Sequence, residues 1–243
     1  MLVLALDTAT ARITAGVVEL PDAGGSSGSS SPIGVLPSML RLPPPRTLAA
    51  RDGEGARAHA ELLAPAIADA LAGAGRTRAD LDAVVAGVGP GPFTGLRVGL
   101  VTAAAMGDAL GIPVHGVPTH DALAVGAAGS VLVVTDARRR EVYWSLLADG
   151  VRTHGPEVVR PDELAARIGP EGDLGRVDVV LGDAAEKVGG APGAPGPTPA
   201  GLVAVAAPAL RAGDVPGPLV PLYLRRPDAV PPGAPKAVTR AAP

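Results

Sequence analysis

The chain has 243 residues, of which 47% are hydrophobic and 19% charged, and its formal net charge is −3. It contains no cysteine, which excludes disulfides and thiolate metal sites and is typical of a reducing compartment. The acidic balance argues against a chain-wide basic surface for nucleic acid. Because residues 1–20 lack a signal-peptide pattern and no apolar stretch is long enough to span a bilayer, we expect a cytoplasmic protein without a membrane segment.

The first half of the chain opens with two predicted strands. "MLVLALDTAT" is an apolar run that delivers Asp7 at its end, and "RITAGVVEL" follows at hairpin distance. Residues 21–34 are rich in Gly and Ser and are predicted to be a flexible insertion. "HAELLAPAIADALAGAG" then predicts an amphipathic helix that begins near Ala56 and ends in the glycines typical of a helix terminus.

The next segments alternate between strands and helices. "LDAVVAGVG" predicts a buried strand, Thr94 to Leu110 a second helix, "IPVHGVP" a strand and "THDALAVGA" a third helix. A further strand before the first helix is left open. This order predicts an α/β lobe with a mixed sheet.

The second half has a comparable element content without an exact internal repeat. Two strands flank an arginine-rich turn in "SVLVVTDARRREVYWSLL", and they are followed by a helix at "PDELAARI", a strand at "VDVVLGD" and a helix at 201–210. We predict a first lobe at 1–112, a second at 113–225 and a disordered tail at 226–243.

The turn "GPGPFTG" raises the question of a phosphate site. Pro90 and Pro92 remove N–H donors, and the P-loop lysine is missing, which argues against that role. Behind the turn, Gly95, Gly99, Ala103, Gly107 and Gly111 recur every four residues and form a stripe of small side chains. The stripe permits close packing either on the protein's own sheet or on a helix of a partner subunit.

The remaining candidate groups are polar. Asp7 and Thr8 could hold a metal–nucleotide phosphate, although an acid at a strand end is as often a turn former. His59 lacks the partners of a zinc site and is interpreted as a helix-start residue. The turn of Arg138, Arg139 and Arg140 is either a solvated hairpin or a contact for RNA phosphates.

Several segments in this order resemble the TsaB (YeaZ) family, which is required for threonylcarbamoyl modification of adenosine 37 in tRNA. They are "LALDTAT", "HAELLAPAI", "GVGPGPFTGLRVG", "IPVHGVPTHDALA", "TDARRREVYW" and "PLYLR", and all four aromatic residues of the chain lie in them. The chain departs from the family pattern at Pro92 and Ala60, where serine is common, and "DTAT" lacks the glycine usual after the strand-end acid.

This resemblance implies a two-lobed actin-like and sugar-kinase-like fold, with mixed sheets flanked by helices. It also implies a non-catalytic subunit that activates TsaD, that joins TsaE in an ATP-dependent assembly and that reaches tRNA through the complex. No cofactor of its own is implied beyond a vestigial nucleotide site at Asp7 and Thr8, and no metal is expected. A homodimer is expected when TsaD is absent.

The pairing helices implied by the resemblance are 56–72 and 94–110. The predicted partner surface consists of Leu62, Leu63, Ala66, Ile67, Ala70, Gly95, Leu96, Gly99, Ala103, Met106 and Gly107. On this hypothesis Gly99→Arg abolishes pairing and leaves the fold intact. Two alternatives remain: a small-molecule kinase of the same fold, for which no general base is found, and a glycoprotease-like peptidase, for which the chain offers no nucleophile.

Overall fold

The computed structural model describes residues 1–22, 42–54 and 59–225. Most of the predicted insertion and the whole predicted tail lie outside these residues, as does the predicted helix start at Ala56. The strands are Leu2–Asp7 (β1), Arg12–Glu19 (β2), Arg46–Glu54 (β3), Ala83–Gly87 (β4), Val114–Val117 (β5), Ser130–Asp136 (β6), Val142–Ala148 (β7), Val151–Val159 (β8) and Val179–Leu181 (β9). The α-helices are His59–Gly73 (α1), Phe93–Leu110 (α2), Thr119–Leu123 (α3), Pro161–Arg167 (α4) and Pro199–Ala212 (α5).

Two mixed sheets organise the described chain. The first has the order β3-β2-β1-β4-β5, with β1, β2 and β3 antiparallel and β1, β4 and β5 parallel. The second has the order β8-β7-β6-β9, again with three antiparallel strands and one parallel neighbour of the first of them. The predicted fold class is therefore confirmed, and the two halves repeat one strand topology.

Helices cover both faces of the first sheet because β1 is apolar on both sides. Leu4 and Leu6 face a core shared with α1 and α2, where Leu63 and Leu96 are buried. The alternate residues of β1 face α5 on the opposite side. This arrangement leaves the outer faces of α1 and α2 together on one surface of the molecule.

The sheets divide the chain differently from the predicted lobes. Strand β5, after residue 112, pairs with β4 in the first sheet. Helix α5 also packs on the first sheet, although it follows all the strands of the second. The division at residue 112 stays a prediction about domains, but it separates β5 from the sheet to which it belongs and α5 from the sheet on which it packs.

His120 links α3 to the second sheet. Its Nδ1 lies 2.8 Å from Ser145 Oγ and its Nε2 lies 2.9 Å from Thr135 Oγ1. Burial, followed by the charge of Arg152, lowers the pKa of His120 from 6.5 to about 3. The imidazole is therefore neutral at pH 7 and is held between two hydroxyl groups.

We expect this histidine to make the fold acid-sensitive. Between pH 6.5 and about pH 3 the unfolded chain binds a proton at this position and the folded chain does not, so the stability contributed by neutral His120 is lost as pH falls. Urea unfolding at pH 7 and pH 5 should show a free energy of unfolding that falls more steeply in the wild type than in His120→Gln. Equal slopes for both proteins would contradict this assignment.

Candidate functional site

The small-residue stripe of α2 faces the protein's own core. Gly95, Gly99, Ala103 and Gly107 are all buried. A Cβ atom on Gly99 would lie 2.4 Å from Thr8 Oγ1, and one on Gly107 would lie 2.1 Å from a methyl group of Val114. The glycines therefore let α2 approach the first sheet closely, and their assignment to a partner surface was wrong.

Most of the other predicted partner residues are also buried in the protein's own core. Leu63, Ile67, Ala70 and Leu96 belong to the core under α1 and α2. Leu62 retains 36% of its exposed surface, and Ala66 and Met106 are half-buried. The close contact at Gly99 argues against the expectation that Gly99→Arg leaves the fold intact, because even a Cβ atom there would lie 2.4 Å from Thr8 Oγ1.

The face of α2 that points outward forms a shallow apolar groove with α1. Val101, the most exposed large hydrophobic residue of α2, keeps 67% of its surface accessible. The groove has a volume of about 500 Å³, and its lining is apolar apart from Thr102 and Arg78. We call it the α1–α2 groove, lined by Ala64, Ile67, Arg78, Val101, Thr102, Ala105, Met106, Ala109 and Leu110.

Asp7 and Thr8 are buried at the end of β1, and the side chains of both form hydrogen bonds within the protein. Asp7 Oδ2 accepts a hydrogen bond from the Thr119 hydroxyl at 2.7 Å, and its Oδ1 accepts one from the Ala9 N–H at 2.9 Å. The Thr8 hydroxyl donates to Gly95 O at 2.7 Å and accepts from the Gly99 N–H at 3.1 Å. Thr8 thus joins β1 to the start of α2, and the nucleotide role of both residues stays a prediction.

The turn before α2 is packed tightly against the same strand end. The Gly89 N–H donates to Thr119 Oγ1 at 3.2 Å, and a Cβ atom on Gly91 would lie 2.2 Å from Ala9 O. Gly89 has a φ of 96°, which residues other than glycine rarely adopt. The glycines of "GPGPFTG" therefore serve a close approach between the turn and the β1–β2 connection.

Burial of the Asp7 carboxylate costs stability at neutral pH. Desolvation raises its pKa from 3.8 to about 6, although the hydrogen bonds from Thr119 and Ala9 oppose the shift. Because folding raises this pKa, the protonated carboxyl contributes to the free energy of unfolding at low pH. That contribution is lost as the pH rises from about 4 through 6. Asp7→Asn is therefore expected to raise the free energy of unfolding at pH 8 by about 2 kcal/mol and to change it little at pH 4.

Urea unfolding at both pH values tests this expectation. Asp69→Asn, on the exposed side of α1, is the matched control and should alter stability by less than about 0.5 kcal/mol. An Asp7→Asn protein that is less stable than the wild type at pH 8 would mean that the hydrogen bonds outweigh the cost of the buried charge.

The connection after β1 and the end of β6 are joined through Asp183, which follows β9. The Asp136 N–H donates to Asp183 Oδ1 at 2.9 Å, and the Ala11 N–H also donates to the Asp183 carboxylate. Burial raises the pKa of Asp183 above its usual value. A single side chain therefore ties the β1–β2 turn to the β6–β7 turn.

The arginine-rich turn has an unusual backbone. Arg138, Arg139 and Arg140 have φ values of 63°, 53° and 64°, in the left-handed region. All three residues are exposed, and Arg138 Nε lies 3.8 Å from Asp136 Oδ2. Their contact with RNA stays a prediction, and the left-handed backbone could not be predicted from three arginine residues, which rarely adopt it.

The position of the C-terminal segment 214–225 was not predicted from the sequence. This segment runs from the end of α5 toward the β6–β7 turn. Its Leu222 N–H donates to Val88 O at 2.9 Å. Tyr223 lies against Phe93, with ring centroids 4.7 Å apart. The motif "PLYLR" was recognised as a family segment, but its contact with α2 depends on tertiary structure.

Within residues 1–22, 42–54 and 59–225, no three or more His, Cys, Asp or Glu side chains form a group suited to hold a metal ion. His59 lies at the first position of α1, as its interpretation as a helix-start residue predicted. In the same part of the chain, no helix combines the length and apolar character needed to cross a membrane.

Comparisons with known proteins relate the chain to tRNA modification proteins. A family model described as "TsaD: tRNA N6-adenosine threonylcarbamoyltransferase" matches residues 53–173. An uncharacterized protein of Mycobacterium tuberculosis is 46% identical over 240 residues, which cover 94% of each chain. The Escherichia coli "tRNA threonylcarbamoyladenosine biosynthesis protein TsaB" is 37% identical over 94 residues, 37% of this chain and 41% of that protein.

A solved structure extends the likeness to nearly the whole chain. It is a Pseudomonas aeruginosa protein described as uncharacterized "with similarity to peptidase YEAZ". It is 25% identical, has a TM-score of 0.65, and the match covers 92% of this chain and 99% of the other. The likeness thus spans both sheets.

Proposed function

Because the chain belongs to the TsaB (YeaZ) family, we propose that it acts in the synthesis of threonylcarbamoyladenosine in tRNA, as a subunit that pairs with TsaD. The observation that carries this proposal is the α1–α2 groove. An apolar groove on two adjacent helices is a surface that a second pair of helices can cover. We place the pairing contact there.

The match to a TsaD family model supports a contact of this geometry. Residues 53–173 include α1 and α2, so TsaD carries segments similar to both helices. Two chains with similar helix pairs can meet about a pseudo-two-fold axis, in which each presents the same face to the other. The same geometry allows two copies of this chain to pair when TsaD is absent.

We propose a non-catalytic role for the chain within the assembly. The Asp7 carboxylate has both oxygens engaged by Thr119 and Ala9, and the two turns that could flank a nucleotide are tied together by Asp183. Because Asp7 would have to give up or share the hydrogen bonds from Thr119 and Ala9 to hold a nucleotide, these contacts support a role that does not depend on nucleotide binding by this chain. We assign the ATP dependence and TsaE to the assembled complex rather than to a site on this chain.

Reconstitution of the modification tests the proposal. TsaD and TsaE from the same organism, a TsaC-type enzyme, threonine, bicarbonate, ATP and unmodified tRNA would be combined with and without this chain. Mass spectrometry of the digested tRNA should detect threonylcarbamoyladenosine with the chain present and at least tenfold less without it. Equal modification in both reactions would contradict a role in activating TsaD.

A further inference from the structure

An aromatic and arginine stack lies on the surface at the start of α2. The ring centroids of Phe93 and Tyr223 are 4.7 Å apart, with the planes inclined at 48°. The guanidinium carbon of Arg97 lies 5.7 Å from the first centroid and 5.4 Å from the second. Arg97 Nε also donates to the Tyr223 hydroxyl at 2.8 Å, so an exposed guanidinium is held in one orientation.

The C-terminal segment connects this stack with the arginine-rich turn. Two residues after Tyr223, Arg225 forms an ion pair with Glu141 and donates to Arg138 O at 3.4 Å. Two residues of extended chain span about 7 Å. The stack and the turn therefore form one continuous surface, which we call the arginine–aromatic surface: Phe93, Arg97, Arg138, Arg139, Arg140, Tyr223 and Arg225.

This surface is positively charged on a chain whose net charge is negative. Among the described residues, Arg138 lies near Asp136 and Arg225 pairs with Glu141, while the exposed Arg97 and Arg140 add positive charge beside them. Positive charge is therefore concentrated there although the whole chain carries −3. Such segregation of charge marks a site for a polyanion.

The backbone of the turn is held in a costly conformation. A residue other than glycine costs roughly 1–2 kcal/mol in the left-handed region, and three consecutive arginines occupy that region. A solvated turn with no other role would be more stable with glycine or asparagine at these positions. Backbone strain of this kind is concentrated at functional sites.

We propose that the arginine–aromatic surface binds a single-stranded segment of RNA. Tyr223, with 40% of its surface exposed, offers a ring on which an unpaired base can stack, and the arginines donate to phosphate oxygens. Paired bases are not available for such stacking, so the surface selects loops over duplex RNA. This inference rests on the proposed function, since it supplies the RNA that the chain would meet.

Fluorescence anisotropy with two RNA probes tests the inference. One probe is a fluorescein-labelled hairpin with a seven-nucleotide loop, and the other is a duplex of the same length. The full chain mixed with TsaD should bind the hairpin at least tenfold more tightly than the duplex. The hairpin affinity should fall about tenfold between 50 mM and 200 mM salt. Equal affinity for both probes, or no binding of the hairpin, would overturn the inference.

Variants separate RNA binding from pairing. Tyr223→Leu keeps an apolar contact with Phe93 and should lower the hairpin affinity about tenfold, whereas Tyr223→Phe should retain most of it. Arg140→Ser should weaken binding several-fold. Arg46→Ser is the matched control and should leave the affinity unchanged. Arg46 begins β3 and forms an exposed ion pair with Glu19 of β2.

Light scattering of each variant with TsaD makes the outcomes distinguishable. Lost RNA affinity with intact pairing supports the inference. Lost pairing with unchanged RNA affinity would overturn it and mark the surface as a protein contact. If the wild type does not pair with TsaD but the chain alone binds the hairpin with these variant effects, the RNA surface stands and the proposed pairing fails.

Discussion

Val101→Arg is expected to weaken pairing with TsaD about a hundredfold and to leave the fold intact. Val101 lies in the α1–α2 groove with 67% of its surface exposed, so the substitution should change the free energy of unfolding by less than about 0.5 kcal/mol. In a covered groove, the arginine would lose its hydration without gaining a partner, which is strongly unfavourable. Titration calorimetry with TsaD measures the loss.

Val151→Arg provides the matched control for this substitution. Val151 begins β8, on the second sheet, and is 68% exposed. The two substitutions therefore make the same chemical change at almost equal exposure, on different faces. If both variants, or neither, lose affinity for TsaD, the pairing contact does not lie on the α1–α2 groove.

Gly99→Arg is expected to unfold the protein or to destabilise it by more than about 4 kcal/mol. Its Cβ atom would lie 2.4 Å from Thr8 Oγ1, where the Thr8 hydroxyl bonds Gly95 O and the Gly99 N–H. The substitution therefore breaks the contact between β1 and α2 and places a charge in the core. Because stabilities of about 5–15 kcal/mol are typical, a loss of this size removes a large part of the free energy of unfolding.

Thermal unfolding followed by circular dichroism measures this effect. Ala104→Arg is the matched control, because Ala104 is an exposed residue of the same helix. It should change the midpoint by only a few degrees. A folded Gly99→Arg protein with an unchanged midpoint would mean that α2 does not pack on β1 as described.

Hydrophobic periodicity and the recognised segments predicted much of the fold. The apolar runs that became β1 and β4 and the amphipathic segment that became α1 were placed within a few residues of their observed bounds. Strand β3 was left open because its sequence, RTLAARDGE, lacks an alternating apolar pattern. Its pairing with β2 comes from tertiary context.

The candidate site was harder to predict, since a helix sequence does not reveal which face is covered. A stripe of Gly95, Gly99 and Gly107 is equally suited to a partner helix or to the protein's own sheet, and the sheet proved to be its neighbour. The groove formed by Val101 and Ala105 carries no recognisable motif. The stack of Arg97 on Tyr223 joins residues 126 positions apart, which no local pattern can connect.

Light scattering on a sizing column, with the chain, TsaD and an equimolar mixture run separately at micromolar concentration, tests the central claim most directly. Pairing predicts a peak in the mixture at the summed mass of one copy of each chain, and loss of that peak with Val101→Arg but not with Val151→Arg. Unchanged elution of the two proteins in the mixture would contradict the account.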